Sequence, residues 1–169
     1  LCRAWLARRR ALQILDLEFY YMGPDWFGAE ILKAEEVVPI KIGTGKWRRY
    51  APFMNVFDVL RTAVGMLHAL VRVFSVMPDV VFSKGGYGAL PATAAAAVLG
   101  IPLVIHESDS VPGKVSRWAA RFASRIGIAF TSAQSYFPND KTAVIGVPIR
   151  KRLLGGKRES AREHFDVFS

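Results

Sequence analysis

The sequence predicts an α/β fold: a Rossmann-like parallel sheet with helices on both faces. Three observations predict it. Apolar runs at 79–82, 102–106, 126–130 and 142–145 are short and bounded by turn residues, so they read as buried strands. Helical stretches at 90–99 and 113–124 separate the first three of these runs. The junctions are short, so strand and helix alternate as βαβ units, which makes the strands parallel.

The earlier elements follow the same logic. Leu1 to Gln13 reads as the end of a basic helix, and Leu15 to Tyr21 as an aromatic strand. A turn at MGPD leads to a helix from Trp26 to Glu35 and a strand from Val37 to Ile42. Gly43 to Phe53 is a loop carrying Lys46, Trp47, Arg48, Arg49 and Tyr50. Asn55 to Met77 is the longest predicted helix, with Asn55 and Asp58 as a capping pair and Pro78 as its stop. Its polar residues Asp58, Arg61, Thr62, His68, Arg72 and Ser75 form one narrow stripe, and most of the remaining circumference is apolar. A surface helix usually has a narrower apolar face. Either this helix is deeply buried, or part of its apolar side meets something else.

The chain has 169 residues, enough for one α/β domain with a core. Its formal charge of +9 suits an anionic partner: nucleic acid, a phosphate-bearing ligand or an acidic membrane surface. A single cysteine, Cys2, excludes an internal disulfide framework and fits a reducing compartment. The start lacks the apolar core of a signal peptide. The most apolar run, Leu90 to Ile105, is broken by Gly100 and Pro102 and does not read as a membrane span. The first residue is not methionine, and the tail changes character at Gly155 and Gly156 before a charged stretch, so a piece of a longer protein is expected.

In open parallel sheets, ligands bind beyond the carboxyl ends of the strands. Three segments stand there: SKGGYG at 83–88, HESDSVPG at 106–113 and GVPIR at 146–150. Gly85 and Gly86 let backbone approach a ligand, the next helix offers free N–H groups, and Lys84 adds a cation. These features suit a diphosphate cradle. They also suit a tight strand-to-helix turn, and the segment matches neither GxxxxGK[ST] nor GxGxxG. Glu107 and Asp109 stand near a strand edge suited to a sugar hydroxyl, while His106 offers a phosphate donor or an acid or base. The plainer alternative has Asp109 or Ser110 capping the next helix and His106 satisfied in the interior. Arg150 suits a bidentate anion clamp, or is a solvated arginine after a rigid turn. No metal-ligand spacing and no Ser-His-Asp arrangement is evident.

Taken together, the three segments resemble the amino-terminal domain of the MurG family. Gly85-Gly86-Tyr87 with Pro91 matches its GGY-x-x-x-P. His106-Glu107-Ser108-Asp109 matches H-E-x-[ND], and Gly146-Val147-Pro148-Ile149-Arg150 matches G-N-P-[IV]-R. The resemblance is strongest from Pro78 to Arg152, and element order agrees from Leu15 onward.

The resemblance implies the amino-terminal half of a GT-B glycosyltransferase. Residues 1–152 would be the acceptor domain, and 153–169 a linker and the start of a donor domain. The implied reaction moves N-acetylglucosamine from UDP-N-acetylglucosamine to lipid I, with inversion, forming lipid II for peptidoglycan, and needs no cofactor. Lys84, Gly85, Gly86, Tyr87, His106 and Glu107 would serve the acceptor diphosphate, with His106 and Glu107 supporting catalysis. Asp109 and Arg150 would lie near the UDP-sugar. Asp109 stands where the family usually has Asn, exchanging an amide donor for an acceptor, and Val147 replaces another Asn. The family's first glycine-rich loop, with its candidate catalytic base, would lie upstream of Leu1. The chain alone is therefore expected to be inactive. A lipid-linked acceptor implies docking at the cytoplasmic face of the membrane through Trp47, Arg48, Arg49, Val64, Leu67, Leu70, Val71 and Phe74, rimmed by Arg61 and Arg72. The alternatives are a non-catalytic membrane-anchoring subunit of a split GT-B enzyme and a transferase with another lipid-linked acceptor. A nucleic-acid-binding domain is disfavoured, because the basic residues are scattered and no recognised motif appears.

Overall fold

A computed structural model describes residues 17–23, 29–43 and 52–149, with backbone alone over 52–62. The helix read over Leu1 to Gln13, the loop residues Trp47, Arg48, Arg49 and Tyr50, the side chain of Arg61, and everything from Arg150 onward lie outside the described residues.

The chain runs β1 (Phe19–Gly23), α1 (Ala29–Ala34), β2 (Val37–Lys41), α2 (Pro52–Val76), β3 (Val81–Ser83), α3 (Leu90–Leu99), β4 (Leu103–Glu107), α4 (Lys114–Ala119), β5 (Arg125–Ile128) and β6 (Thr142–Val144). Short 3-10 turns at Tyr87–Ala89, Thr131–Tyr136 and Asn139–Lys141 complete it. All strand pairs are parallel, as alternation with helices requires. Among the described residues the strands form two sheets: β1 with β2, and β3-β4-β5-β6 in chain order.

One core unites the two sheets. Met22 and Ile40 from the first sheet, with Ile42 just after β2, pack with Ala69 and Val73 of α2, Ala95 and Ala96 of α3, and Val81 of β3. The alanines carry no side-chain entropy cost and let the two helices approach closely. Gly65 extends this close contact. A β-carbon there would overlap the carbonyl oxygen of Gly43, so α2 lies directly on the backbone leaving β2. A second core, Leu103, Ile105, Ile126 and Ile128 with Ala119, Ala120, Ala123 and Phe137, lies between β4, β5 and the α4 region.

Several boundaries differ from the sequence expectation. α2 begins at Pro52, so Asn55 and Asp58 lie within the helix and do not start it. Proline suits a first helical turn, where its missing N–H has no partner to lose. α4 stops at Ala119, short of the expected Ser124, because the chain tightens: Phe122 N–H bonds to the Ala119 carbonyl and Arg121 N–H to that of Trp118. α3 keeps its expected span. Pro91 lies in its first turn, and Gly100 closes it in the left-handed region with φ 67°.

The two readings of the long helix part here. Gly65, Ala69 and Val73 point inward at spacing four. Val64 is 68% exposed, Leu67 65%, Val71 54% and Phe74 63%, so these four are not core. They stand at spacings of three, four and three, which places them on one outward stripe. Leu70 is the exception among the expected patch residues, because it is partly buried against the α2–α3 core. Arg72 is exposed beside the stripe and donates from Nε to His68 Nε2 at 3.2 Å. No helix among the described residues is long and apolar enough to cross a membrane.

Candidate functional site at the carboxyl ends of β3 and β4

The β3 turn and the β4 end meet as neighbours because β3 and β4 pair in register, Ser83 beside Ile105. Along a strand, side chains alternate between the two faces of the sheet. Ser83 is buried, and its Oγ accepts the Gly85 N–H at 3.2 Å and lies 3.4 Å from Thr93 Oγ1. Thr93 Oγ1 also lies 2.7 Å from the Ala89 carbonyl, to which it donates. This buried polar pair ties the strand end to the first turn of α3.

Gly85 and Gly86 adopt φ 76° and 79°, a region that strains residues with a β-carbon. Gly85 is also crowded, since a β-carbon there would overlap Ser116 Oγ on α4. Gly86 has open space around it, and Tyr87 is exposed. The turn therefore packs inward through Gly85 and presents Gly86 and Tyr87 outward.

Glu107 turns toward the same side as Gly85. It is 4% exposed, its Oε1 accepts the Asp109 N–H at 3.1 Å, and its Oε2 lies 3.9 Å from where a Gly85 β-carbon would stand. It therefore braces the two loops against each other. Asp109 is exposed, and neither it nor Ser110 caps α4, whose N-cap is Gly113 with no side-chain cap bond.

The sequence leaves His106 open between a phosphate donor, an acid or base, and a satisfied interior residue. It is only 1% exposed, and both ring nitrogens have partners within the chain. Nδ1 lies 2.9 Å from Lys84 Nζ, and Nε2 lies 2.8 Å from the Gly146 carbonyl oxygen. The ring lies beside Gly127 of β5, where a β-carbon would be in ordinary contact with it at 3.5 Å but would overlap the side chain of Ile145. Lys84 is exposed and also donates to Ser108 Oγ at 2.7 Å.

The structure thus brings Lys84, Gly85, Gly86, Tyr87, His106 and Glu107 to one sheet edge, with Asp109 beside them. Arg150 lies outside the described residues. Ser83 stood in the SKGGYG segment without a role of its own, and Thr93 and Ser116 were missed in the sequence. The only signal of Thr93 was a polar residue within an alanine run. Among the described residues no cluster of His, Cys, Asp or Glu is placed to hold a metal ion.

Known proteins share this arrangement of sequence. The model of the glycosyltransferase family 28 N-terminal domain matches residues 6–128. A UDP-N-acetylglucosamine–N-acetylmuramyl-(pentapeptide) pyrophosphoryl-undecaprenol N-acetylglucosamine transferase of Clostridium botulinum is 36% identical over 159 residues, covering 94% of this chain and 44% of its own length. The enzyme of the same name from Shouchella clausii is 44% identical over 117 residues, 69% of this chain and 33% of its own. The crystal structure of Acinetobacter baumannii MurG superposes with a TM-score of 0.61 at 25% identity, covering 86% of this chain and 41% of that one. The chain therefore spans less than half the length of these relatives.

Proposed function

This chain belongs to glycosyltransferase family 28, whose N-terminal domain it carries, and from that premise we propose that it forms the acceptor-binding part of an N-acetylglucosaminyltransferase. The acceptor is lipid I, a muramyl-pentapeptide on undecaprenyl diphosphate, and the donor is UDP-N-acetylglucosamine. The muramyl C4 hydroxyl attacks the anomeric carbon of the donor, the bond to UDP breaks, and lipid II forms with inverted configuration.

One observation carries this reading: the GGY turn is folded onto the strand-end HES segment. Gly85 seats against Ser116 and Glu107, which leaves Gly86 and Tyr87 outward at the edge where an open parallel sheet takes its ligand. Preorganised donors at such an edge suit a diphosphate. The names of the relatives agree with it, since they state a pyrophosphoryl-undecaprenol acceptor. Asp109 and Arg150 are assigned to the donor side. The outward stripe of Val64, Leu67, Val71 and Phe74 is assigned to the cytoplasmic face of the membrane, where the lipid tail of the acceptor lies, with Trp47, Arg48 and Arg49 beside it in the chain. An apolar stripe next to basic residues suits an anionic interface.

Titration of the isotopically labelled chain with lipid I in detergent micelles tests the assignment. The amide resonances of Gly86 and Tyr87 are expected to move, and Gly85→Val is expected to abolish the response. Unmoved resonances in this turn at saturating lipid I would remove the acceptor role.

A further inference from the structure

The geometry points to Lys84 as a prealigned anion-binding ammonium, held by His106 acting as a positioning residue and not as an acid or base. This deepens the acceptor reading and rests on it.

The hydrogen-bond partners decide the state of the imidazole. A backbone carbonyl only accepts, so the Nε2 facing Gly146 O at 2.8 Å carries the proton and donates. An ammonium only donates, so the Nδ1 facing Lys84 Nζ at 2.9 Å presents its lone pair and accepts. The ring is thus fixed as the Nε2–H tautomer, with no nitrogen left for a ligand. Its rotation is fixed too, by burial and by the two partners on opposite sides of the ring.

Lys84 gains what the histidine gives up. Its ammonium has three protons. One goes to His106 Nδ1 and one to Ser108 Oγ, its two partners among the described residues. The third is left for a ligand at the exposed edge beside Gly86. A lysine is normally a mobile point charge on a four-carbon stem. Here two anchors hold the charge before any anion arrives, which lowers the ordering cost of binding one. The ligand class is a phosphate or diphosphate oxygen. His106 also links this lysine to the loop that carries Gly146, so strand ends β4 and β6 hold the cation together.

The test uses inorganic pyrophosphate as the probe and the whole 169-residue chain, read by nuclear magnetic resonance. Nitrogen spectra of His106 should report the proton on Nε2 before and after pyrophosphate, with the Nδ1 signal moving on binding. A proton on Nδ1 would overturn the proposal without any mutation. Lys84→Met should weaken pyrophosphate binding by about tenfold or more, the scale of one charge-assisted hydrogen bond. Two substitutions then separate the roles of the imidazole. His106→Asn places an amide oxygen near the position of Nδ1 and should keep most of the affinity. His106→Gln places an amide nitrogen near the position of Nε2, loses the acceptor for Lys84, and should weaken binding as Lys84→Met does. The reverse order would mean that only the tie to Gly146 matters, and would refute the proposal. So would loss in both histidine variants with Lys84→Met unaffected, because the ring would then be touching the anion itself. Pyrophosphate shifts at Gly86 and Tyr87 that survive Lys84→Met would leave the acceptor reading standing and remove the lysine from it. No shift at either place would remove both.

Discussion

Replacing Leu67 and Phe74 together by serine tests the proposed membrane contact. Phe74 is 63% exposed and Leu67 65% exposed, so both side chains have apolar surface to transfer out of water. An aromatic side chain buries roughly 150–250 Å², so the exposed share of Phe74 is about 120 Å². At about 25 cal/mol per Å² this amounts to about 3 kcal/mol on full insertion. Scaling the roughly 1.5–3 kcal/mol of a fully buried leucine by its exposure gives about 1–2 kcal/mol for Leu67. The pair then supplies about 4 kcal/mol, and incomplete insertion still leaves about 3 kcal/mol, a hundredfold in partitioning. Co-sedimentation with vesicles of mixed zwitterionic and anionic lipid measures it. The double variant should bind at least about a hundredfold more weakly, while its unfolding midpoint barely moves, because exposed substitutions usually change stability by no more than about 0.5 kcal/mol. Vesicle binding equal to that of the unmodified chain would refute the assignment of this stripe to lipid.

Other outcomes follow from the same structure. Arg48→Glu with Arg49→Glu should abolish the preference for anionic over zwitterionic vesicles and its sensitivity to salt, as measured in the same assay at two ionic strengths. Gly65→Ala should destabilise the chain by about 1–3 kcal/mol in urea unfolding, because its methyl meets the Gly43 carbonyl, although the same change in an open helix would stabilise; a raised midpoint would disprove the close approach. Ser83→Ala should cost about 1 kcal/mol and speed hydrogen exchange at the Gly85 amide, which loses its acceptor. Ile105→Ala, at a position 1% exposed between β4 and α4, should cost about 2–5 kcal/mol in the same unfolding assay.

Much of the site was legible because its signals are local. Adjacent glycines before a proline and an alanine run mark a strand-to-helix turn with φ angles open to glycine, and the structure has Gly85 and Gly86 there. The α3 span was readable for the same reason, with proline at one end and glycine at the other. The helix boundaries that moved, at Pro52 and Ala119, depend on which backbone groups find partners after packing, and short-range patterns do not report that.

The sequence by itself determined the parallel α/β architecture, the order of its elements and the three strand-end segments, because periodicity and turn chemistry act over a few residues. It also marked an apolar excess on the long helix. Tertiary structure alone decided where that excess points: Ala69 and Val73 inward, Leu67 and Phe74 outward, since only the neighbours of a helix choose its buried face. It decided the surroundings of His106 as well. A histidine between a lysine 22 positions away and a carbonyl 40 positions away takes its ring partners from long-range contacts. No local pattern records which partners the fold will bring to a ring nitrogen.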